Sequence, residues 1–315
     1  MEPDRWLGVE LRHLAALEAV AEERSFGRAA ELLGYTQSAI SQQIATLERI
    51  VGVQLIDRPG GPKAVSLTEA GELLLRHANA IVARLQAAEA DLARYAEGRG
   101  GTLRIGTFQS VGARVLPSLM RAFGDSWPDV RIALTESSSD EDLADEVERG
   151  ELDLAFVMLP PPEGPFELVE LMDDPYVLVV PADSPLGERR QPLKSRDLEG
   201  LPLISNRLCR STVLAENQLR ARGVSCDVVF RSDDNGTVQG MVAAGVGVAL
   251  VPLLTVDEGD SRVRILDLGR RFPPRRIAIA SHRDRQQAPA ARAFVETARE
   301  LCAGLQQRLA AAAVA

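Results

Sequence analysis

The sequence predicts a mixed α/β chain in three parts: an α-rich N-terminal winged helix-turn-helix, a long linker helix and a two-lobe Rossmann-like α/β domain. Three observations support this fold class. Apolar residues recur at helical spacing from Leu11 to Leu47, one apolar stripe continues over Glu69–Glu97, and strand-like and helical segments alternate from residue 102 onward. The predicted boundaries are 1–68, 69–97 and 98–315, with one lobe over about 102–175 and 270–315 and the other over about 176–269.

Three helices and a hairpin account for the N-terminal part. Apolar spacing predicts helices over Leu11–Val20 and Phe26–Leu33, and Ser25 is a suitable N-cap for the second one. Thr36 caps a third helix, which ends at Gly52. The segments "VQLIDR" and "KAVSLT" then flank the turn "PGGP" and predict a β-hairpin. Together these elements predict a winged helix-turn-helix with its motif at 25–44.

A single helix is predicted over Glu69–Glu97, before the polar linker "EGRGG". Its apolar seam steps by three or four residues through Ala70, Leu74, His77, Ile81, Leu85, Ala88, Leu92 and Tyr95. This seam either packs on its own domain or pairs with the same helix of another chain. Pairing is favoured, because so long a helix has little of its own domain to cover it.

The C-terminal part alternates between strands and helices. The predicted strands are Leu103–Thr107, Val130–Glu136, Leu152–Met158, Pro175–Pro181, Pro202–Ser205, Asp227–Asp233, Gly247–Pro252, Arg262–Leu268 and Arg275–His282. The alternation predicts βαβ units with parallel sheets. Two similar lobes, with the chain crossing between them and back, suit a hinged domain that binds a small ligand in its cleft.

Composition narrows the class of protein. The chain has 315 residues, of which 45% are hydrophobic and 26% charged, as in globular proteins of two or three domains. It lacks a run of ~18 apolar residues and an N-terminal apolar signal core, so we expect a cytoplasmic protein without a membrane segment. Its formal net charge of −9 argues against non-specific coating of nucleic acid. Any contact with DNA must therefore depend on the placement of side chains.

The segment "LRHLAALEAVAEERSFGRAAELLGYTQSAISQQIATLERIVGVQLIDR", followed by "LTEAG", resembles the N-terminal domain of LysR-type transcriptional regulators. The segments "RIGT", "GELDLAF" and "MVAAGVGVALVP" extend the resemblance over nearly the whole chain. The resemblance implies a dimer or tetramer that binds promoter DNA at an inverted repeat. It also implies an effector domain similar to type 2 periplasmic binding proteins, and RNA polymerase is a further candidate partner.

The third helix carries an uncharged polar face suited to base edges, which glutamine, serine and threonine can bind. Base contacts in helix-turn-helix proteins come from the first residues of this helix, with phosphate contacts around it. The predicted DNA-binding residues are Ser25, Arg28, Thr36, Gln37, Ser38, Ser41, Gln42, Arg58, Lys63 and Thr68. Family members often have a basic residue where Gln42 stands, which leaves the operator preference open. Lys63 fits a solvated wing residue as well as a DNA contact.

Polar residues also follow the predicted strands of both lobes, at the edge where ligands of α/β domains bind. The predicted effector-binding residues are Thr107, Ser110, Ser137, Ser205, Arg207, Asp234 and Thr237. Arg207 favours a carboxylate, whereas Asp233 and Asp234 favour an amine, so the sequence leaves the class of effector open. Helix capping is the alternative role, because these residue types are ordinary N-caps.

Two other functions compete with an effector-controlled regulator. Peroxide-sensing members of the family carry their reactive thiol where Cys209 stands, but they pair it with a nearby second thiol, whereas Cys226 is farther away. An ordinary thiol is therefore favoured over redox sensing. A cytoplasmic ligand-binding protein related to solute receptors is the other alternative. No catalytic site, metal or cofactor is expected, since His13, His77 and His282 fall on separate elements and the three cysteines are scattered.

Overall fold

The computed structural model describes residues 5–57, 65–97, 101–188, 193, 195–207, 210–225, 227–269 and 272–312. The chain forms two compact units, Met1–Asp91 and Leu92–Ala315. Across the described ranges, no helix has both the length and the apolar character needed to cross a membrane.

The first unit has the predicted order of helices and hairpin. After a short 3-10 turn at Arg5–Gly8 come α1 (Leu11–Glu23), α2 (Phe26–Leu33), α3 (Gln37–Val51), β1 (Ile56–Asp57), β2 (Ser66–Leu67) and the start of α4 (Glu69–Glu97). The two strands pair antiparallel but are shorter than the predicted segments. Gly34 ends α2 in the left-handed conformation, with φ 69°, which turns the chain sharply towards α3.

The helical apolar spacing places one face of each helix in a common core. Ile40, Ile44 and Leu47 of α3 are fully buried, together with Leu17 of α1 and Ala29 of α2. The opposite face of α3 is thereby held at the surface on a packed scaffold.

The first turns of α4 pack closely on the hairpin. A Cβ atom on Gly71 would lie 2.1 Å from the carbonyl oxygen of Leu55, so this close approach requires glycine. Leu74 and Ala78 on the next turns are buried in the core of the first unit. Further along α4, Ile81 and Leu85 are exposed. The predicted seam thus has an N-terminal part that covers its own domain and an exposed part beyond it.

The second unit alternates strands and helices in two lobes. In chain order its elements are β3 (Thr102–Thr107), α5 (Gln109–Arg114), α6 (Leu116–Ser126), β4 (Arg131–Glu136), α7 (Asp140–Arg149), β5 (Leu154–Leu159), β6 (Phe166–Asp174), β7 (Tyr176–Pro181), β8 (Pro202–Asn206), α8 (Arg210–Ala221), β9 (Asp227–Ser232), α9 (Asn235–Ala243), β10 (Ala249–Pro252), β11 (Val263–Asp267), β12 (Arg275–His282) and α10 (Pro289–Ala312). Short 3-10 turns lie at Pro185–Glu188, Ser195–Leu198 and Leu253–Thr255.

In the described part of the chain, the first lobe is built on one sheet and the second lobe on two. The first lobe has the strand order β4-β3-β5-β12-β6. Strand β3 runs parallel to its neighbours β4 and β5, whereas β12 runs antiparallel to its neighbours β5 and β6. The second lobe contains the order β10-β7-β11 and the parallel pair β8-β9. Two backbone hydrogen bonds join these strands, from the Ile204 N–H to the Val248 carbonyl and from the Val248 N–H to the Pro202 carbonyl.

One strand was not predicted. β6 has the sequence "FELVELMDD", in which charged and apolar residues do not alternate strictly, so the pattern of a half-buried strand is absent. The strand lies at a sheet edge and pairs with β12 through a register shift between Ile277 and Ala278. This irregular pairing explains the broken pattern.

The chain crosses between the lobes twice, at Asp174–Tyr176 and again between Asp267 and Arg275. The crossings are adjacent, because Asp174 and Arg275 are partners in the β6–β12 register. A hinge between the lobes is therefore formed by two neighbouring segments.

Candidate nucleic-acid interface and ligand cleft

The surface of α3 presents a compact set of hydroxyl and amide groups. The Thr36 Oγ1 atom accepts a hydrogen bond from the Ala39 N–H (3.2 Å) and lies 3.0 Å from the Ser38 Oγ atom, which fixes the start of the helix. The predicted base-reading residues lie at the start of α3, where Ser41 is half-buried and the others are exposed: Thr36, Gln37, Ser38, Ser41 and Gln42.

The predicted phosphate contacts at α2 are already engaged within the first unit. The Ser25 Oγ atom accepts a hydrogen bond from the Arg28 N–H (3.4 Å), so its hydroxyl caps α2. The Arg28 guanidinium pairs with the Glu23 carboxylate at 3.0 Å and donates to the Glu23 carbonyl. Because the Arg28 side chain is 63% exposed, exchange of this partner for a DNA phosphate costs little.

Thr68 has a structural role at the start of α4. Its hydroxyl donates to the Gln54 carbonyl (2.8 Å) and accepts from the Gly71 N–H (3.0 Å). These two bonds tie the linker helix to the segment before β1. The predicted contacts Arg58 and Lys63 lie outside the described residues.

Glu48 is a positioning residue that the residue patterns did not single out. Its Oε1 atom accepts hydrogen bonds from the backbone N–H groups of Leu55 (2.9 Å) and Ile56 (3.2 Å). The carboxylate therefore fixes β1 relative to α3. The only sequence signal was that Glu48 lies, as part of "TLERI", in the segment that resembles the family, since partners seven and eight residues away follow no local pattern.

A cleft of about 880 Å³ lies in the second unit and is lined by residues of both lobes. Four of the predicted effector-binding residues are in its wall: Ser110, Ser137, Arg207 and Asp234. The wall also includes the aromatic rings of Phe108 and Tyr176. A volume of this size suits a small organic molecule.

Three predicted effector-binding residues, Thr107, Ser205 and Thr237, are not among the residues that line this cleft. Thr107, the last residue of β3, and Ser205, the next to last of β8, are only 3% and 5% exposed. Thr237 donates both its backbone N–H (2.6 Å) and its hydroxyl (2.8 Å) to the Asp234 Oδ1 atom. For Thr237 the capping role therefore holds.

Two sets of polar contacts connect the lobes across the cleft. The Arg210 Nη1 atom of the second lobe lies 2.5 Å from the Asp140 Oδ2 atom of the first. On another part of the wall, Gln109 donates to the Asp234 Oδ2 atom (3.1 Å) and accepts from the Asn235 N–H (3.0 Å). The relative position of the lobes thus depends on charged and amide groups that also face the cleft.

A buried ion pair lies where the two crossing segments meet. Asp174 is fully buried and Arg275 is 4% exposed, and the Arg275 Nη2 atom lies 2.6 Å from the Asp174 Oδ2 atom. Arg275 also donates to the Ser110 Oγ atom (2.6 Å), and its guanidinium carbon is 5.2 Å from the Phe108 ring centre. Asp174 in turn accepts from the Leu254 N–H (3.1 Å). This network joins the hinge to the cleft wall.

Sequence reasoning did not identify Arg210, Asp140, Arg275 or Asp174 as site residues. Each depends on a partner 70 or 101 positions away, so no spacing rule could have found the pairs. Only Arg275 had a sequence signal of its own, because it is a charged residue at the start of an apolar strand.

One of the three cysteines, Cys302, lies among the described residues. Cys302 is 1% exposed, and burial raises the pKa of its thiol to about 11, so it remains protonated at neutral pH. Cys209 and Cys226 lie outside the described residues. Within the described part of the chain, no group of three or more histidine, cysteine or acidic side chains is arranged to hold a metal ion.

Comparison with known families agrees with both units. Residues 11–72 match the family described as bacterial regulatory helix-turn-helix protein, lysR family, and residues 96–303 match the LysR substrate binding domain. These matches confirm the resemblance and the fold class predicted from the sequence.

Individual relatives cover most of the chain. A probable hydrogen peroxide-inducible genes activator of Mycobacterium avium is 31% identical over 88% of this chain and 89% of that protein. The transcriptional regulator AlsR of Bacillus subtilis is 32% identical over 78% of this chain and 80% of its own. Among solved structures, a hydrogen peroxide-bound cysteine variant of OxyR from Corynebacterium glutamicum is 26% identical with a TM-score of 0.59, covering 96% and 97% of the two chains. The chain therefore belongs to the LysR family of helix-turn-helix DNA-binding transcription regulators.

Proposed function

We propose that this regulator binds a specific promoter sequence through α3 and that a small effector in the inter-lobe cleft modulates that binding. The observation that carries the proposal is the uncharged hydrogen-bonding face on the first turns of α3, held outward by a buried opposite face. Such a face suits base edges, whose donors and acceptors are fixed in position, better than it suits phosphates.

The assignment of contacts follows from this geometry. We propose that Gln37, Ser38, Ser41 and Gln42 contact bases and that Arg28 contacts phosphate. Thr36 and Ser25 contribute through the helix starts that they cap, and Arg58, Lys63 and Thr68 remain the proposed contacts of the wing and linker. The domain boundaries at 68 and 97 also remain proposals.

Self-association is proposed through the exposed part of α4. Ile81, Leu85 and Leu92 follow one another at helical spacing and are 47%, 46% and 70% exposed. Pairing with a second copy would remove this apolar surface from water, which favours association. Two copies of the first unit then suit an inverted repeat with half-sites about one DNA turn apart.

The proposed role needs no catalytic centre and places the protein with promoter DNA in the cytoplasm. RNA polymerase is the natural further partner if the protein activates transcription. Peroxide sensing through Cys209 is the competing function, and it is favoured only by the names of relatives such as the Mycobacterium avium activator.

The proposal is tested by measuring how tightly the full chain binds DNA taken from upstream of its own reading frame. We expect an inverted-repeat fragment to bind ~1,000-fold or more tightly than the same fragment with scrambled half-sites at physiological salt. Equal affinity for both fragments would contradict sequence-specific binding. The same titration after peroxide treatment separates the functions, since an effector-controlled regulator keeps its affinity and a thiol sensor does not.

A further inference from the structure

We propose that the effector is a small organic cation, an amine with an apolar body, rather than an anion. This inference rests on the proposed function, because it specifies which class of molecule the inter-lobe cleft accepts. The evidence for a cationic effector is the number of acidic and basic side chains in the cleft wall and the ion pairs that they form.

Carboxylates outnumber guanidinium groups in the wall. Among the described residues, five acidic side chains line the cleft, against three arginines: Glu136, Asp140, Glu141, Asp233 and Asp234, and Arg207, Arg210 and Arg275. A cleft with an excess of one sign concentrates the opposite charge, because its walls focus the field. The wall as a whole therefore favours a cation.

Each arginine of the wall already has a carboxylate partner. The pairs are Arg207–Asp233, Arg210–Asp140 and Arg275–Asp174, with N–O distances of 3.0, 2.5 and 2.6 Å. An anionic ligand would have to displace one of these carboxylates and leave it without its counter-ion. The two less exposed pairs also hold the lobes and the hinge, so displacement there would be the most costly.

Two of the helix N-termini at the cleft, those of α7 and α9, are occupied by the chain's own carboxylates, whereas α8 has no acidic residue in its first turn. The first turn of α7 contains Asp140, Glu141 and Asp142, and the Asp142 N–H donates to its Ser139 cap. At α9, Asp234 is the N-cap. These carboxylates offset the positive ends of the helices, which would otherwise attract an anion.

Two carboxylates are available to a cation without breaking a hydrogen-bonded arginine pair, since the ion pair of Glu141 with Arg210 is long and exposed. Glu141 is 62% exposed and lies 3.9 Å from the nearest Arg210 nitrogen, too far for a hydrogen bond. Hydrogen bonds from Thr237 and Gln109 lower the pKa of Asp234, so this carboxyl stays ionised at neutral pH. Both line the same cleft as apolar side chains such as Leu214, which suit the body of the ligand.

A charge-matched set of probes tests the inference on the full chain. The set consists of alkyl and arylalkyl amines, carboxylic acids of equal chain length, and the corresponding alcohols, each measured by thermal shift at constant ionic strength. We expect amines such as 2-phenylethylamine to raise the unfolding temperature, while 3-phenylpropanoate and 2-phenylethanol do not.

Two variants test whether the amine binds at the cleft wall. Glu141→Gln removes a carboxylate of the cleft and should weaken amine binding by roughly threefold to tenfold. Glu146→Gln removes the same charge from the same helix outside the cleft wall and should leave amine binding unchanged. Equal effects of the two variants, stabilisation by the acids, or no stabilisation by any amine would overturn the inference.

The same preparation is also titrated with the inverted-repeat fragment. Specific DNA binding without amine binding would reject only the cationic effector. Loss of specific DNA binding would reject the proposed function itself, whichever probe stabilises the chain.

Discussion

The reading face of α3 presents hydroxyl and amide groups, and the cleft of the second unit presents charged groups as well, but the groups in these two regions are partnered differently. On α3 the bonds are local, such as the cap from Thr36 to Ala39. In the cleft several contacts join residues far apart in the chain, such as Arg210 with Asp140, 70 positions apart, and Arg275 with Ser110, 165 positions apart. The difference indicates that the reading face is a surface fixed by local contacts, whereas the cleft depends on contacts between distant parts of the chain.

The largest expected effect is at the hinge. Arg275→Met leaves the fully buried Asp174 without its counter-ion and should lower the free energy of unfolding of the second unit by about 3–5 kcal/mol. Urea unfolding followed by Trp127 fluorescence in a Trp6→Phe background measures it.

The neighbouring arginine is the control for the hinge pair. Arg276 is 51% exposed and lies 3.6 Å from Glu170, so Arg276→Met should change the free energy by less than ~1 kcal/mol. Equal losses from the two variants would show that the hinge pair has no special role. If Arg275→Met does not fold, the double variant with Asp174→Leu should recover a folded chain.

A smaller effect is expected at the contact between the lobes. Arg210→Met removes the partner of Asp140, a side chain only 8% exposed, and should cost ~1–2 kcal/mol by the same fluorescence measurement. Arg207→Met removes a pair whose members are 72% and 56% exposed, so it should cost less than ~0.5 kcal/mol. The reverse order would contradict the view that Arg210 holds the lobes together.

The smallest effect concerns the first unit and its pH dependence. Burial lowers the pKa of His13, whose Nδ1 atom accepts a hydrogen bond from the Glu10 N–H at 3.1 Å. The pKa of His13 in the folded chain is below its ordinary value of 6.5, so the folded state favours the neutral imidazole. The stability that neutral His13 contributes to the fold is therefore present above pH 6.5 and is lost as the pH falls through the pKa of the folded state.

Lowering the pH from ~7.5 to ~5.5 should therefore destabilise the first unit of the unmodified chain more than that of His13→Gln. Trp6 fluorescence in a Trp127→Phe background reports this unit. Identical pH profiles would show that His13 does not titrate between these values.

The two regions also differ in how far the sequence could predict them. The helix caps at Ser25 and Thr36 and the helix Glu69–Glu97 follow patterns within a few residues, and the structure has them where the sequence places them. The strand Phe166–Asp174 lacks such a pattern. The Asp174–Arg275 pair exists only because the chain crosses the hinge twice, which spacing along the sequence cannot show.

The polar residues after strands illustrate the same limit. Ser110 and Ser137 line the cleft as expected, whereas Thr107 and Ser205 are buried and are not among the residues that line it. A strand end identifies the edge of the sheet at which a ligand binds. The side on which each residue points depends on the twist and register of the folded sheet.

The central claim is that α3 reads DNA sequence through hydrogen bonds of uncharged side chains. The most direct test compares the affinity of Gln37→Ala for the inverted repeat and for the scrambled fragment, by fluorescence anisotropy at one salt concentration. Gln54→Ala, an exposed glutamine outside α3, is the control. We predict a loss of ~1–3 kcal/mol at the repeat for Gln37→Ala only, with nearly unchanged affinity for the scrambled DNA. An equal loss on both fragments, or no loss at the repeat, would contradict the claim.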